Sequence, residues 1–305
     1  MSKTIVIAGA GHAAGQVVAS LRQHDFDGRI VLVGDEPYLP YQRPPLSKKF
    51  LAGDMPAERL YFKPESFYED VELHLDTRIA AIERDARCVV SDTGESIAYD
   101  TLVLALGSRV RRLPVEGADL PGVHYLRSIA DVEGIRADLD KGKSLVVIGA
   151  GYIGLEVAAV AQQAGLDVTV LETEDRVMSR VVSPEVSDFY QIQHADRGVR
   201  LRLATSATSI DGKRRVRAVT TSAGESVPAD LVVIGVGIVP NTELAAAAGL
   251  DVDNGIVVDD HCVTSDPDIY AVGDCTLHPN CIYERNLRLE SVHNALEQAK
   301  TAAAN

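Results

Sequence analysis

The chain has 305 residues, 46% of them hydrophobic and 24% charged, the composition of an ordinary globular protein with room for about two domains. A formal net charge of −14 argues against the basic face that nucleic acid or an anionic membrane would demand. No apolar run reaches the roughly 18 residues of a membrane span, since the best, Leu145 to Leu171, is broken by Glu156, Gln162, Gln163 and Asp167.

The first element is a β-branched strand, Thr4 to Ala8, that runs into Gly9-Ala-Gly11-His-Ala-Ala14-Gly15. Its apolar stretch is too short for a secretory signal, whose apolar core needs about 7 to 15 residues, and the expected location is the cytoplasm. A helical pattern extends to about His24, and a second strand, Ile30 to Val33, leads to Asp35. Strand, glycine turn, helix, second strand and acid together make a dinucleotide-binding βαβ unit. The first glycine permits the tight turn, the second lets backbone N–H groups approach a pyrophosphate, and the third position, here Ala14, lets helix pack on strand. The phosphate then lies at the positive end of the helix dipole. A late strand, Leu102 to Leu106, ends in Gly107.

The same pattern returns further on. Leu145 to Ile148 enters Gly149-Ala-Gly151-Tyr-Ile153-Gly154-Leu-Glu156, a helix follows to about Gly165, and Val168 to Leu171 ends at Glu172. Leu231 to Ile234 then closes on Gly235 as the late strand. In each unit the acid lies near the spacing of about 20 residues expected for a ribose hydroxyl contact. A carboxylate at Glu172, with Glu174 nearby, favours NADH by repelling a 2′-phosphate, while Arg176 is close enough to leave NADPH open. The four cysteines, Cys88, Cys262, Cys275 and Cys281, contain no C-x-x-C pair and read as reduced packing residues.

Three further runs carry a family resemblance. Thr264-Ser-Asp-Pro-Asp-Ile-Tyr-Ala-Val-Gly-Asp274 resembles the second FAD motif of the glutathione-reductase-like flavoproteins. Leu39-Pro-Tyr-Gln-Arg43-Pro-Pro-Leu-Ser-Lys48 and Arg288-Leu-Glu-Ser-Val-His-Asn-Ala-Leu-Glu-Gln-Ala-Lys300 are similar to runs in the ferredoxin reductases that serve oxygenases and cytochromes P-450, the putidaredoxin reductase family. The resemblance covers Lys3 to the last residue. It implies an α/β fold of two nested Rossmann-like domains of the glutathione-reductase type. The FAD domain would comprise residues 1–112 and 241–305, and the NAD domain residues 113–240. It also implies that the family's usual C-terminal α+β domain, about a hundred residues long, is absent; the lack of tryptophan accords with this.

By that resemblance the function is an FAD-dependent NADH:ferredoxin oxidoreductase. Hydride passes from NADH to FAD, and single electrons pass to a small acidic carrier, a 2Fe–2S ferredoxin or a rubredoxin-like protein, feeding a cytochrome P-450 or a ring-hydroxylating oxygenase. FAD contacts transfer to Ala13, Asp35, Arg43, Lys48, Ile79, Arg127, Asp274 and Val292, beside the turn residues Gly9, Gly11 and Ala14. NAD contacts transfer to Gly149, Gly151, Ile153, Gly154, Glu156, Glu172 and Gly237. Lys48 and Glu156 are the catalytic candidates, no metal ligands are assigned, and a monomer or weak homodimer is expected. Two readings of Glu156 stand: a carboxylate favoured by the helix dipole whatever the function, or a partner of Lys48 bordering the nicotinamide. A thiol-free NADH oxidase or peroxidase of the same fold, and an NADH-sensing flavoprotein resembling the apoptosis-inducing factor, also remain open.

Overall fold

The computed structural model describes residues 3–139 and 143–305. The chain divides into two compact units, one comprising residues 1–42, 61–109 and 239–305, the other residues 43–60 and 110–238. Among the described residues there are six α-helices: α1 (His12–Gln23), α2 (Ile129–Asp138), α3 (Tyr152–Gln163), α4 (Pro184–Asp196), α5 (Glu243–Ala247) and α6 (Val292–Ala304).

Unit 1 is built on a five-stranded parallel sheet in the order Ile269–Ala271, Thr101–Leu104, Thr4–Ala8, Arg29–Val33, Val71–His74. The near-continuous apolar strands reflect burial on both faces. Ile7 points with Ile30 and Leu32 into a core shared with α1 and α6, while Val6 and Ala8 point with Val31 and Val33 toward Ile82, Val89 and Ile97. Those last three belong to an antiparallel sheet of Ile79–Glu83, Cys88–Ser91 and Ser96–Ala98. The facing residues of α1 and α6, among them Ala13, Ala14, Ala295, Ala299 and Ala302, are small enough to let the two helices pack closely.

Unit 2 repeats this architecture. Its parallel sheet runs Arg200–Arg202, Asp167–Leu171, Ser144–Ile148, Leu231–Ile234, Val123–Tyr125. An antiparallel sheet of Ala207–Gly212, Val216–Thr221 and Ser226–Pro228 follows the strand Arg200–Arg202, as the antiparallel sheet of unit 1 follows Val71–His74. The edge strand beside the late strand precedes the glycine turn in unit 2 and comes after the late strand in unit 1. Residues after position 239 thus return to complete the first sheet, which is the nesting that the second FAD-like motif implies.

The segment Arg43–Leu60, which the sequence reading groups with residues 1–112, clusters with unit 2. The physical reason is local. Ser47 and Lys48 bond the Glu156 carboxylate on α3, and the Arg136 guanidinium of α2 lies over the Phe50 ring. No helix among the described residues is long and apolar enough to cross a membrane.

Candidate dinucleotide sites

In unit 1 the Gly9 N–H donates to Val33 O at 2.7 Å, and in unit 2 the Gly149 N–H donates to Leu171 O at 2.8 Å. Both glycines have positive φ, +116° and +103°. A Cβ at either would stand 2.2 Å from Ala105 O or 2.5 Å from Gly235 O, so only glycine fits the turn. The second glycines behave differently: a Cβ built on Gly11 or Gly151 meets nothing within 4 Å. Each is the N-cap of its helix and makes no side-chain capping bond. The first-turn N–H groups of α1 and α3 therefore face open space that a side chain would fill, with the helix dipole behind them. That space fits a dinucleotide pyrophosphate in both units.

The third positions are not equivalent. A Cβ on Gly154 would lie 2.0 Å from Gly149 O, whereas Ala14 is accommodated and fully buried. The helix start of unit 1 thus keeps a clearance from its turn that unit 2 lacks.

The acids also differ in register. Gly34 N donates to His74 O and Thr77 N to Gly34 O; in unit 2 the matching bonds are Glu172 N to Arg202 O and Thr205 N to Glu172 O. Glu172 is therefore the counterpart of Gly34, and Asp35 stands where Thr173 stands. A Cβ on Gly34 would come 2.5 Å from the Ala10 Cβ, and unit 1 carries its acid one residue later, exposed, at Asp35. The reading of the two acids as equivalent strand ends is corrected accordingly.

The Glu172 carboxylate is held by the backbone: Oε2 accepts from Ala150 N at 2.7 Å and Oε1 from Glu174 N at 3.0 Å. Arg176, left open above as a phosphate ligand, is engaged elsewhere. Its Nη1 donates to Val182 O and Ser187 Oγ, and its Nη2 to Ser179 O at 2.6 Å.

Among the other unit 1 candidates, half-buried Asp274 accepts from Ser108 Oγ at 2.9 Å. Ile79 opens the antiparallel sheet, and Val292 is the partly exposed first residue of α6, capped by Ser291 Oγ accepting from Asn294 N. In unit 2 Arg43 Nη1 donates to Arg127 O at 2.6 Å. Arg127 precedes the capping box of α2, in which Ser128 Oγ accepts from Asp131 N and the Asp131 carboxylate accepts from both Ser128 N and Arg127 N. Ile153 is 37% exposed in the first turn of α3. The Gly237 carbonyl accepts from Arg111 N.

Lys48 and Glu156 are brought together. Lys48 Nζ lies 2.8 Å from Glu156 Oε2 and also donates to Pro44 O at 3.1 Å, while Ser47 Oγ donates to the same carboxylate oxygen at 2.5 Å. Helical turns through Arg43–Ala52, with Lys48 N donating to Pro45 O and Ala52 N to Lys48 O, present Ser47 and Lys48 side by side. Ser47 was missed by the sequence reading although it sits inside the Pro-Pro-Leu-Ser-Lys run; its only signal was adjacency to Lys48. Ser108 was missed too, because nothing in the sequence links it to Asp274. All four cysteines are free thiols. Burial pushes the Cys262 thiol up to about 12 and the Cys275 thiol to about 11, so both stay neutral and unreactive at pH 7.

The sequence profile of the pyridine nucleotide-disulphide oxidoreductases matches residues 3–299. The chain belongs to this family. Rhodocoxin reductase of Rhodococcus erythropolis is 48% identical over 304 residues, covering 99% of this chain and 71% of the relative. The crystal structure of a ferredoxin reductase from Rhodopseudomonas palustris superimposes with a TM-score of 0.96 at 47% identity, covering 99% of this chain and 75% of that one. The putidaredoxin reductase of a covalent putidaredoxin reductase–putidaredoxin complex gives a TM-score of 0.96 at 45% identity, with coverage of 99% and 74%. Pyridine nucleotide-disulphide oxidoreductases bind FAD and NAD(H), in keeping with two open helix N-termini. The fold is of the glutathione-reductase type, and the chain is a flavin-dependent oxidoreductase acting on a nicotinamide dinucleotide.

Proposed function

We propose that this oxidoreductase takes hydride from NADH and delivers single electrons to a small iron–sulfur carrier of the 2Fe–2S ferredoxin kind, which in turn feeds an oxygenase. The observation that carries the reading is the pair of uncapped helix N-termini, each opening on space that a Cβ at Gly11 or Gly151 would fill. Relatives named for rhodocoxin, ferredoxin and putidaredoxin support an acceptor of this class. When bound, FAD supplies the two-electron to one-electron conversion, and the residues of this chain do the remaining work.

In unit 1 the N–H groups at the start of α1, with Gly9, Gly11, Ala13 and Ala14, hold the FAD pyrophosphate. Asp35 accepts from the adenosine ribose and Asp274 from a ribityl hydroxyl, while Ile79 and Val292 contact the remainder. The Val292 end of α6 would offer the positive end of a helix dipole to the flavin ring and so favour its electron-rich form. Assignment of Arg43, Lys48 and Arg127 to FAD rests on the resemblance. In unit 2 the start of α3, with Gly149, Gly151, Ile153 and Gly154, holds the NAD pyrophosphate, and Gly237 lines the same ligand. Glu172, already oriented by two backbone N–H groups, accepts from the ribose hydroxyls. Because Arg176 is committed to Val182, Ser187 and Ser179, its guanidinium is not offered to a 2′-phosphate, which supports NADH over NADPH. Glu156 holds the Lys48 ammonium in place, and by the family resemblance a positive charge on that fixed stem would favour electron density on a bound flavin.

Stopped-flow mixing of the flavin-loaded protein with NADH or NADPH, followed by a panel of ferredoxins, tests this. Rapid bleaching by NADH, slower bleaching by NADPH and fast reoxidation by at least one 2Fe–2S carrier are expected. A reduced protein that persists for minutes with every carrier refutes the reductase reading.

A further inference from the structure

Asp274 and the start of α6 are assigned to FAD, yet neither explains what keeps them in register. The answer lies two turns along α6. Gln298 is 7% exposed, and its Oε1 accepts from the Gly273 backbone N–H at 2.8 Å. The same oxygen accepts from Asn294 Nδ2 at 3.1 Å and lies 3.0 Å from Thr276 Oγ1, whose single proton is shared with Gly273 O at 2.9 Å. Asn294 Nδ2 also donates to Leu289 O at 3.2 Å, just ahead of the N-cap Ser291. One buried carboxamide oxygen thus joins the peptide before Asp274, the Thr276 strand and the first turn of α6.

The surroundings leave little slack. A Cβ on Gly273 would stand 3.3 Å from Ala13 Cβ and 3.8 Å from Ala295 Cβ, so the Gly273–Asp274 turn is wedged between α1 and α6. Asp274 is aimed by that turn and by Ser108. A buried N–H without an acceptor costs more than the net value of the bond it loses. With Gln298 shortened or made apolar, the Gly273 N–H would turn toward water and take Asp274 with it.

We propose that Gln298 is a positioning residue for FAD, holding Asp274 and the α6 N-terminus in their binding arrangement before the cofactor arrives. The proposal rests on the reading of Asp274 and Val292 as FAD contacts. Its consequence is specific. A residue that stabilised the fold alone would be equally valuable with and without FAD, and its loss would lower melting temperature without moving the FAD dissociation constant. A preorganising residue moves the dissociation constant, because FAD binding must then re-bury the displaced N–H.

The test compares Gln298→Met, which keeps length and apolar volume but has no comparable acceptor, with Gln298→Glu, which keeps an acceptor for all three donors. Cys262→Ala is the control, since it removes a polar contact to the backbone of this residue and not to its carboxamide, Cys262 Sγ to Gln298 O at 3.6 Å. FAD dissociation constants are measured by fluorescence on apoprotein prepared from the holoprotein, together with visible circular dichroism of the bound flavin and its reduction potential. Gln298→Met should weaken FAD roughly 10- to 100-fold with altered flavin dichroism and potential. Gln298→Glu should stay within a few-fold of wild type, and Cys262→Ala should lower only the melting temperature. If Gln298→Met does not fold, Thr276→Val decides in its place, with a several-fold weaker constant expected. A constant unchanged in Gln298→Met, or in Thr276→Val where that stands in, overturns the proposal. If Asp274→Ala itself leaves FAD binding untouched, the assignment of the FAD site has failed instead, and the two failures are told apart by that variant.

Discussion

Replacing Glu172 by glutamine separates charge from structure at the nucleotide end of unit 2. Alanine would also release the Ala150 and Glu174 N–H groups that the carboxylate accepts, loosening the glycine turn itself. Glutamine keeps one oxygen for Ala150, while the exposed Glu174 N–H can turn to water. For NADH, a charge-assisted hydrogen bond to the ribose becomes a neutral one, a loss of about 1 kcal/mol. For NADPH, the repulsion between carboxylate and 2′-phosphate disappears; at a few ångströms in a half-exposed site this is worth at least about 1 kcal/mol. The two effects together amount to about 2 kcal/mol, or roughly 30-fold in the NADH over NADPH preference. With Arg176 held by Val182, Ser187 and Ser179, the variant should lose discrimination without gaining a preference for NADPH. The assay is single-turnover flavin reduction against each nucleotide, giving both apparent dissociation constants. A variant that retains the wild-type ratio would refute the ribose assignment; one that prefers NADPH strongly would show that Arg176 leaves its partners.

Gly154→Ala should be severe, because the new Cβ would meet the Gly149 backbone oxygen at 2.0 Å. NADH binding should fall by at least 10-fold with FAD content retained, whereas Ala14→Gly in unit 1 should cost only about 0.5 to 1 kcal/mol of stability; isothermal titration and thermal melts check both. Lys48→Met should shift the flavin potential negative and slow reduction by NADH at least several-fold, since it removes the cation held by Glu156; potentiometric titration showing no shift would assign the pair a structural part only. The Arg200 hydrogen bond holds the Asp167 carboxyl below its ordinary value of 3.8, tying together two strands of the second sheet. A depressed carboxyl contributes stability above its unfolded value that is lost as pH falls through the folded one. Asp167→Asn should therefore melt slightly lower than wild type at pH 7 and converge with it below pH 3.8, the difference being small because the pair is exposed and screened.

The strands and glycine turns were legible because burial on both sheet faces writes them as apolar β-branched runs, and because positive φ at Gly9 and Gly149 admits one residue type. Long-range relations were not. That Arg43–Leu60 packs with the second unit depends on Ser47 and Lys48 reaching a carboxylate more than a hundred residues away, and only the family resemblance hinted at it. The engagement of Arg176 is likewise invisible in sequence, where an arginine near a ribose acid looks available; its three acceptors lie in a loop and helix whose path the sequence does not specify.

The acids show most clearly where pattern reading stops. Counting from the glycines, Asp35 and Glu172 look like one feature written twice, and both fall near the expected spacing. The hydrogen bonds instead pair Glu172 with Gly34, and continue in step to pair Glu174 with Glu36, whose carbonyls accept from Ala204 N and Asp76 N. Even the left-handed residues match, Ala204 at φ +49° and Asp76 at +52°. Against so exact a backbone correspondence, unit 1 carries its acid one residue later: as its turn is folded, a Cβ at position 34 would lie 2.5 Å from the Ala10 Cβ, although unit 2 has the same residue type, Ala150, beside Glu172. In unit 2 the corresponding turn residue, Ala150, instead has its N–H bound by the Glu172 carboxylate. The same fold thus offers a carboxylate anchored into the turn in one unit and an exposed one beyond it in the other. That difference in where the carboxylate stands is what distinguishes two otherwise closely matched βαβ frames.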